Sequence, residues 1–369
     1  MPRPILYAAI TNHGFGHATR MAAVLATLQR LCPDLLLILV TTAPRFLLES
    51  YLTGDFILRP RALDVGVIQS DGVTMDLGAT LGAVQEVYAQ RHRILAGEVQ
   101  FIQQNRVQLI FADIPPLAAA LGQAAGIPAW MMGNFGWDYI YRSWVGNYPD
   151  FAPLADWMGD CFSQSDRLFR LPFHEPMAAF PQVTDVGLTG GDPRFGVAEL
   201  REFLGLRAPQ AQIVLLTFGG LGLQAIPYDR LAAFPHWQFL TLDSQAPDLP
   251  NLIRVRGLTY QGYPLRPVDL MPLCRCVVSK PGYGTFSEAC RLGVPLISLD
   301  RQGFAETPVL LAGLRRSLPH RILRDVEFFE TPWTFLQEPL TQPSESVKIS
   351  HDGNDTIARS IAEFFAASP

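Results

Sequence analysis

Short apolar runs alternate along the chain with longer stretches in which apolar and polar residues recur at helical spacing. Such alternation is typical of the strands and helices of a parallel α/β sheet. The strands predicted in the first half are Ile5–Ile10, Leu35–Thr41, Val107–Ala112 and Ala129–Gly133. The helices predicted between them are Ala18–Leu31, Leu81–Asn105 and Leu117–Ala125.

The second half repeats this pattern after a segment, residues 185–194, that is rich in Gly, Pro and Asp. Its predicted strands are Ile213–Thr217, Phe239–Leu242, Cys276–Ser279 and Pro295–Leu299. Its predicted helices are Tyr228–Phe234, Phe286–Leu292 and Glu306–Leu314. We therefore predict an α/β protein with two doubly wound, Rossmann-like domains that face each other across a cleft. The predicted bounds are 1–184 for the first domain, 185–194 for a linker, 195–350 for the second domain and 351–369 for a C-terminal helix, for which packing against the first domain is one option.

The composition limits the kinds of molecule that the protein is expected to bind. The chain of 369 residues is 49% hydrophobic and 17% charged, which is typical of a globular protein with a large core. Its net charge of -5 does not provide the basic surface that nucleic-acid binding requires. No apolar segment approaches the ~20 residues of a membrane span. The five scattered cysteines are expected to be buried free thiols, so we expect a cytoplasmic protein.

The first candidate site is the loop between the first strand and the first helix. It contains His13, Gly14, Phe15, Gly16 and His17, at the sheet edge where open α/β sheets bind ligands. Glycines let the backbone approach a ligand, and a helix N-terminus offers unpaired N–H groups to anions. The helix dipole disfavours a protonated histidine there, so either imidazole could accept a proton from a sugar hydroxyl. The alternative is that these histidines only hydrogen-bond the helix end.

The second candidate site follows the strand Cys276–Ser279. There Gly282 and Gly284 lead into a helix expected to begin near Thr285, whose N-terminus would hold a diphosphate, and Lys280 would neutralise its charge. An upstream loop with Gly219 and Gly220 would bracket the same phosphate site.

Two roles remain open for Glu288. One turn into that helix, its carboxylate would reach ribose hydroxyls with both oxygens. Thr285 to Glu288 also has the spacing of a capping box, in which the two side chains satisfy backbone donors at the helix start. The neighbouring glycines favour the ligand role.

Several catalytic motifs are absent from the sequence. There is no P-loop, no nucleophile elbow and no Asp-x-Asp pair, and the remaining histidines lack metal-ligand spacing. We therefore expect no cofactor and no metal, with backbone N–H groups and helix dipoles stabilising a departing diphosphate.

At these loops the sequence resembles the glycosyltransferase-like region that precedes the kinase domain of plant L-arabinokinases, and stand-alone bacterial relatives. The likeness is carried by NHGFGHATR (12–20), FADIPP (111–116), GNFGWDYIY (133–141), SKPGYGTFSE (279–288) and FAETP (304–308). More distantly, the sequence is similar to the N-acetylglucosaminyltransferase of peptidoglycan synthesis, a member of the GT-B superfamily.

This resemblance implies the GT-B fold, with the nucleotide-sugar donor in the second domain and the acceptor mainly in the first. It makes His17 the candidate catalytic base, with His13 second. The candidate donor-binding residues are Gly219, Gly220, Ser279, Lys280, Gly282, Gly284, Thr285, Glu288 for the ribose and Glu306 for the sugar hydroxyls. The candidate acceptor or cleft residues are Gly14, Phe15, Gly16, Asp113, Asn134, Trp137 and Asp138.

The leading hypothesis is transfer of a sugar from a nucleoside diphosphate, expected to be UDP, to an unidentified small-molecule, lipid or glycan hydroxyl. One alternative is a nucleotide-sugar epimerase or hydrolase, with Asp113, Asp138 and Glu306 as acid or base groups. Another is a non-catalytic nucleotide-sugar-binding regulator or scaffold. Contact with a membrane surface is a further option for Arg45, Arg59 and Arg61 with Phe46, Leu47 and Leu48, although such residues more often coat a surface and fill a core.

Overall fold

The computed structural model describes residues 3–70, 72–220, 222–223, 225–344 and 348–367. Within them, the first part of the chain forms one parallel sheet of seven strands with helices on both faces. The strands are β1 Ile5–Ile10, β2 Leu36–Val40, β3 Ile57–Arg59, β4 Leu109–Asp113, β5 Ala129–Gly133, β6 Arg167–Arg170 and β7 Val183–Asp185. The helices are α1 Gly16–Leu31, α2 Arg45–Glu49, α3 Leu77–Gln104, α4 Pro116–Ala125, α5 Trp137–Arg142 and α6 Phe151–Phe162.

The second part forms a parallel sheet of six described strands and a short antiparallel hairpin. The strands are β8 Ile213–Thr217, β9 Gln238–Thr241, β10 Leu252–Arg254, the hairpin strands β11 Thr259–Tyr260 and β12 Tyr263–Pro264, then β13 Cys276–Ser279, β14 Leu296–Leu299 and β15 His320–Leu323. The helices are α7 Val197–Phe203, α8 Pro267–Leu270, α9 Tyr283–Leu292, α10 Glu306–Ser317, α11 Asp325–Phe329 and α12 Gly353–Ala367.

Both sheets contain a point where the strand order reverses. The first sheet runs β3-β2-β1-β4-β5-β6-β7, so it reverses between β1 and β4. The second runs β10-β9-β8-β13-β14-β15, so it reverses between β8 and β13. A crevice opens at the carboxyl ends of the strands at such a point, and doubly wound proteins bind their ligands there. The candidate loops follow β1, β8 and β13, which places them at these two crevices.

The central strands agree best with the predicted elements. Strands β1, β5, β8 and β13 have the predicted bounds, and each is a continuous, mostly buried apolar run. The α-helix predicted at Tyr228–Phe234 is wrong, because the structure forms a 3-10 helix over Tyr228–Ala233. Phe234 precedes a proline, and the residue before proline is disfavoured in helical conformation, so the segment is too short for a stable α-helix.

The chain crosses between the two domains twice, and the crossings lie side by side. Leu188 N–H donates to the carbonyl of Ser350 at 2.8 Å. Asn354, at the start of α12, donates to the carbonyl of Gly190 at 2.8 Å and accepts from its N–H at 3.2 Å. Helix α12 then packs on α1, with Ile357 buried in the same apolar cluster as the inner face of α1.

The five cysteines are free, three of them buried and two partly buried. None of the helices that the structure describes is both long enough and apolar enough to cross a membrane.

Candidate functional site

A cavity of about 480 Å³ lies between the carboxyl edges of the two sheets, and residues of both domains line it. Its volume lies within the range of roughly 300–1,000 Å³ that is typical of small-molecule sites. The predicted site residues on its wall are His13, Gly14, Phe15, Gly16, His17, Gly219, Gly220, Lys280, Gly282, Gly284, Thr285, Glu288 and Glu306.

His17 lies in the first turn of α1 and is 6% exposed. Its Nδ1 lies 3.0 Å from Oδ1 of Asp113, the last residue of β4. Burial alone would raise the pKa of Asp113, but the Arg20 guanidinium and its hydrogen bonds hold that pKa below its ordinary value. Asp113 is therefore a carboxylate, which only accepts hydrogen bonds, so this contact favours the His17 tautomer with its hydrogen on Nδ1. Nη2 of Arg20 lies 3.1 Å from the same nitrogen and can only donate, so this second contact favours the opposite tautomer. The tautomer set by Asp113 is the one that leaves Nε2 as the basic atom.

Arg20, one turn after His17 on the same face of α1, supplies the counter-charge of Asp113. Its Nε donates to Oδ2 and its Nη2 to Oδ1 of Asp113, both at 2.6 Å, and both side chains are buried. Its Nη1 donates to Oδ1 of Asn134 at 2.7 Å, and Nδ2 of Asn134 donates to Oε1 of Glu306 at 2.8 Å. Because Asn134 belongs to the first domain and Glu306 to the second, this hydrogen-bonded chain crosses the cleft. Sequence reasoning did not assign Arg20 a role, although its three-residue spacing from His17 is a usable signal.

His13 is fixed by its surroundings. Its Nδ1 accepts a hydrogen bond from Val67 N–H at 3.3 Å, and its ring stands edge-on to Trp137 with centroids 5.4 Å apart. Burial lowers the pKa of His13 well below its ordinary value, and nearby positive groups lower it further. The ring is therefore neutral, and since Nδ1 accepts, the hydrogen is on Nε2. In this geometry His13 presents a donor, which disfavours its predicted role as a second base.

A further carboxylate, Asp64, lies beside these histidines. It accepts hydrogen bonds from the Thr11 hydroxyl and, at 3.0 Å, from the indole N–H of Trp137. Burial raises the pKa of Asp64 to about 6, against the effect of these donors and of His17. No sequence signal marked Asp64, because it lies in an irregular loop and meets its partners only in the fold.

The N-terminus of α9 also lies on the cavity wall. The helix begins at Tyr283 with Gly282 as its N-cap, two residues before the predicted start. Glu288 therefore lies in the second turn, and the capping-box alternative for Thr285 and Glu288 is wrong. Gly282, Gly284 and Thr285 line the cavity, so the unpaired N–H groups of the first helical turn are available to an anion there.

The glycines of the two domains meet across the cleft. A Cβ on Gly284 would lie 3.5 Å from Cα of Gly16, so the starts of α9 and α1 are nearly in contact. A Cβ on Gly220 would overlap the ring of Phe15. These glycines therefore have a packing role in the closed arrangement of the domains, whatever they contribute to phosphate binding.

Glu288 is 5% exposed, and its carboxylate is held at one oxygen. Its Oε1 accepts from the Tyr51 hydroxyl at 3.1 Å and from Gly191 N–H at 3.0 Å. Burial raises the pKa of Glu288 to about 7, although Gly191, Arg266 and Tyr51 lower it. The prediction that both oxygens are available to a ribose therefore needs correction, because Oε1 already has two protein donors.

Five predicted residues lie outside the wall of the cavity, namely Ser279, Asp113, Asn134, Trp137 and Asp138. Asp113, Asn134 and Trp137 lie behind the wall. They contact His17, Glu306 and His13, respectively. Asp138 does not face the cleft as predicted, because its carboxylate folds back towards Gly136 at the start of its own helix. The Ser279 hydroxyl is buried without a hydrogen-bond partner among the described residues.

The residues of the membrane-facing alternative are divided between core and surface. Leu47 and Leu48 are buried, and both Arg59 and Arg61 pair with Glu98. Phe46 is 56% exposed and borders the cavity, so contact with a membrane surface stays a prediction. Among the described residues, no group of three or more His, Cys, Asp or Glu side chains is arranged to hold a metal ion.

Two Rossmann-like domains whose switch-point crevices face each other define the GT-B fold of glycosyltransferases. A UDP-glucosyltransferase from Polygonum tinctorium has a similar structure, with a TM-score of 0.62, 14% identity, and alignment over 100% of this chain and 99% of that one. A putative UDP-N-acetylglucosamine 2-epimerase from Listeria monocytogenes aligns over 100% of this chain and 98% of its own, with a TM-score of 0.58 and 12% identity. At these identities the likeness establishes the fold.

The sequence itself is similar to L-arabinokinase from Arabidopsis thaliana. The match is 31% identical over 312 residues, which is 82% of this chain and 28% of the length of that protein. No protein-family model matches the chain. The predicted GT-B fold and the resemblance to a region of plant L-arabinokinase are thus confirmed.

Proposed function

We propose that this protein transfers a sugar from a nucleoside-diphosphate sugar, with uridine as the expected base, to a hydroxyl group of an acceptor. The observation that carries the proposal is the setting of His17, which lies on the wall of a cavity that also contains the N-terminus of α9 and whose Nδ1 contacts Asp113 behind that wall. A base and an anion site thus share one cavity between two domains.

In the proposed reaction, Nε2 of His17 takes the proton of the acceptor hydroxyl. The acceptor oxygen forms a bond to the anomeric carbon of the sugar while the bond from that carbon to the diphosphate breaks. The electron pair of that bond leaves with the diphosphate, so a single displacement of this kind inverts the anomeric centre. Asp113 keeps the His17 ring oriented and stabilises the imidazolium as it forms.

Lys280 and the first turn of α9 are the proposed stabilisers of the departing diphosphate. Both lie on the cavity wall, and a helix N-terminus carries partial positive charge. We expect turnover to need no added metal. Activity that disappears with EDTA and returns with Mg²⁺ would contradict this part of the proposal.

Calorimetry with UDP, GDP, ADP and dTDP tests the donor site, using the wild type and Glu288→Ala. Binding of one nucleotide in the micromolar range, about 8 kcal/mol, with loss in the variant, would support the site and name the base. Nucleotide binding without turnover of any donor and acceptor would favour the non-catalytic alternative.

Asp113→Asn tests the base. An amide in this position no longer holds the Nδ1–H tautomer of His17, and the comparable change in a serine-protease triad lowers kcat by about 10⁴-fold. We expect UDP release from a UDP-sugar to fall by at least ~10²-fold with little change in UDP affinity. Unchanged turnover in Asp113→Asn would exclude the orienting role of Asp113, and unchanged turnover in His17→Ala would exclude His17 as the base.

A nucleotide-sugar epimerase or hydrolase remains the second candidate. The epimerase with the same fold favours it, and so does Asp64, whose pKa of about 6 suits a proton-transfer group. Conversion of a nucleotide-sugar in the absence of any acceptor would support this candidate over transfer.

A further inference from the structure

Glu288 connects three separate parts of the chain. The Tyr51 hydroxyl comes from the first domain, Gly191 N–H from the segment between the domains, and Glu288 itself from α9 of the second domain. Both donors bind Oε1. Among the described residues no group donates to Oε2, and Glu288 lines the cavity. The carboxylate is thus anchored at one oxygen and available to a ligand at the other.

The hydrogen bond between Tyr51 and Glu288 is tightly packed against Gly191. A Cβ on Gly191 would lie 2.7 Å from Cε1 of Tyr51 and 3.3 Å from Oε1 of Glu288. The Tyr51 ring is 8% exposed and lies under the Arg266 guanidinium, 4.6 Å from ring centroid to Cζ. A larger residue at 191 would therefore separate Tyr51 from Glu288.

The charged groups around Glu288 lie on α9, at the start of α8 and in the segment between the domains, where Asp192 pairs with Arg291. Arg266 precedes α8, and Arg291 is on the same helix as Glu288; both favour the carboxylate. Asp269 pairs with Arg266 and so reduces the effect of that guanidinium. Burial raises the pKa of Tyr51 well above its ordinary value, and Glu288 adds to this, so Tyr51 remains a hydrogen-bond donor throughout the neutral range.

We propose that Tyr51 is a positioning residue of the nucleotide site, holding Oε1 of Glu288 so that Oε2 is presented to the ribose hydroxyls. Because Tyr51 and Glu288 belong to different domains, nucleotide binding and the closed arrangement of the domains then support each other. The inference rests on the proposed function, in which Glu288 binds a ribose. It adds a first-domain residue to the predicted donor-binding residues, all of which lie in the second domain.

The experiment compares the full-length wild type with Tyr51→Phe, which keeps the ring and removes the hydroxyl. Carbon-13 NMR of labelled glutamate carboxyls follows the titration of Glu288, and Glu288→Gln assigns its signal. Tyr7→Phe is the matched control, because Tyr7 is also a buried tyrosine that donates to a buried glutamate, Glu98, at 2.9 Å. UDP affinity is measured by calorimetry over the same pH range.

We expect Tyr51→Phe to raise the titration midpoint of Glu288 by about one pH unit, because the ionised form loses a donor. UDP affinity should fall about tenfold near pH 7 and recover towards pH 9, where Glu288 is ionised even without the hydrogen bond from Tyr51. Tyr7→Phe should change neither quantity.

An unshifted Glu288 titration in Tyr51→Phe would overturn the inference, and so would a loss of affinity that is equal at all pH values. The failure of the proposed function looks different. In that case the titration shifts, but the wild type binds none of UDP, GDP, ADP and dTDP, and the nucleotide site itself is rejected.

Discussion

Replacing Glu288 by glutamine is expected to stabilise the protein above neutral pH. Glutamine has the same shape, and its amide oxygen can accept from Tyr51 and Gly191 where Oε1 now does. The substitution removes a negative charge from a buried position. The usual stability cost of mutating a buried residue is therefore reversed here.

The magnitude follows from the pKa of Glu288, which burial raises from 4.5 to about 7. A raised carboxyl pKa means that the unfolded chain ionises before the folded protein, so stability is full below about pH 4.5 and falls as pH rises towards 7. At about 1.4 kcal/mol per pH unit, the loss reaches about 3 kcal/mol. Glu288→Gln should therefore exceed the wild type by about 3 kcal/mol at pH 8.5 and by less than about 1 kcal/mol at pH 5.

Urea unfolding at these two pH values measures the difference. A glutamine variant that is no more stable than the wild type at the higher pH would refute the reasoning, and so would an advantage that does not shrink at the lower pH. Glu98→Gln provides the contrast, because Glu98 is equally buried but pairs with Arg59 and Arg61. Its replacement should lower stability by about 1–3 kcal/mol at both pH values.

Two further predictions concern the cleft and its histidines. A Cβ on Gly72 would lie 2.5 Å from the carbonyl oxygen of Gly222 in the other domain, so Gly72→Ala should weaken UDP binding by about 1–3 kcal/mol. Gly82→Ala, where no atom lies within 4 Å of the new Cβ, is the control in the same calorimetric measurement. Nitrogen-15 NMR of the imidazoles at neutral pH should show His13 uncharged with its hydrogen on Nε2, because burial lowers its pKa well below the ordinary value, and His17 with its neutral-form hydrogen on Nδ1. If His13 had its hydrogen on Nδ1, or His17 had its hydrogen on Nε2, the role assigned to that ring would be wrong.

The sheet centres and the glycine loops could be predicted because their signals are local. A strand such as β8, buried on both faces, is a continuous apolar run that ends at a glycine turn. The outer strands β3, β7, β10 and β15 were not predicted, because each has only three or four residues and polar or partly exposed positions interrupt its apolar pattern.

The supporting side chains of the site were harder to find, because their partners are distant in sequence. Arg20 and Asp113 are 93 residues apart, and Tyr51 and Glu288 are 237 apart. Helical spacing relates Arg20 to His17, but nothing local relates either residue to β4. For Tyr51 no signal existed at all, since a tyrosine after a short surface helix is ordinarily a packing residue.

Motif spacing alone left the role of the glycine loops ambiguous. A glycine permits close approach, but its position in the sequence does not say what approaches. At Gly220 the approaching group is the ring of Phe15, and at Gly284 it is the backbone of Gly16, both from the first domain. Contacts within the protein are therefore enough to require these glycines. The argument for a nucleotide-sugar site depends instead on groups that packing does not require: a buried carboxylate with one open oxygen, and a histidine on the cavity wall whose Nδ1 contacts a second buried carboxylate.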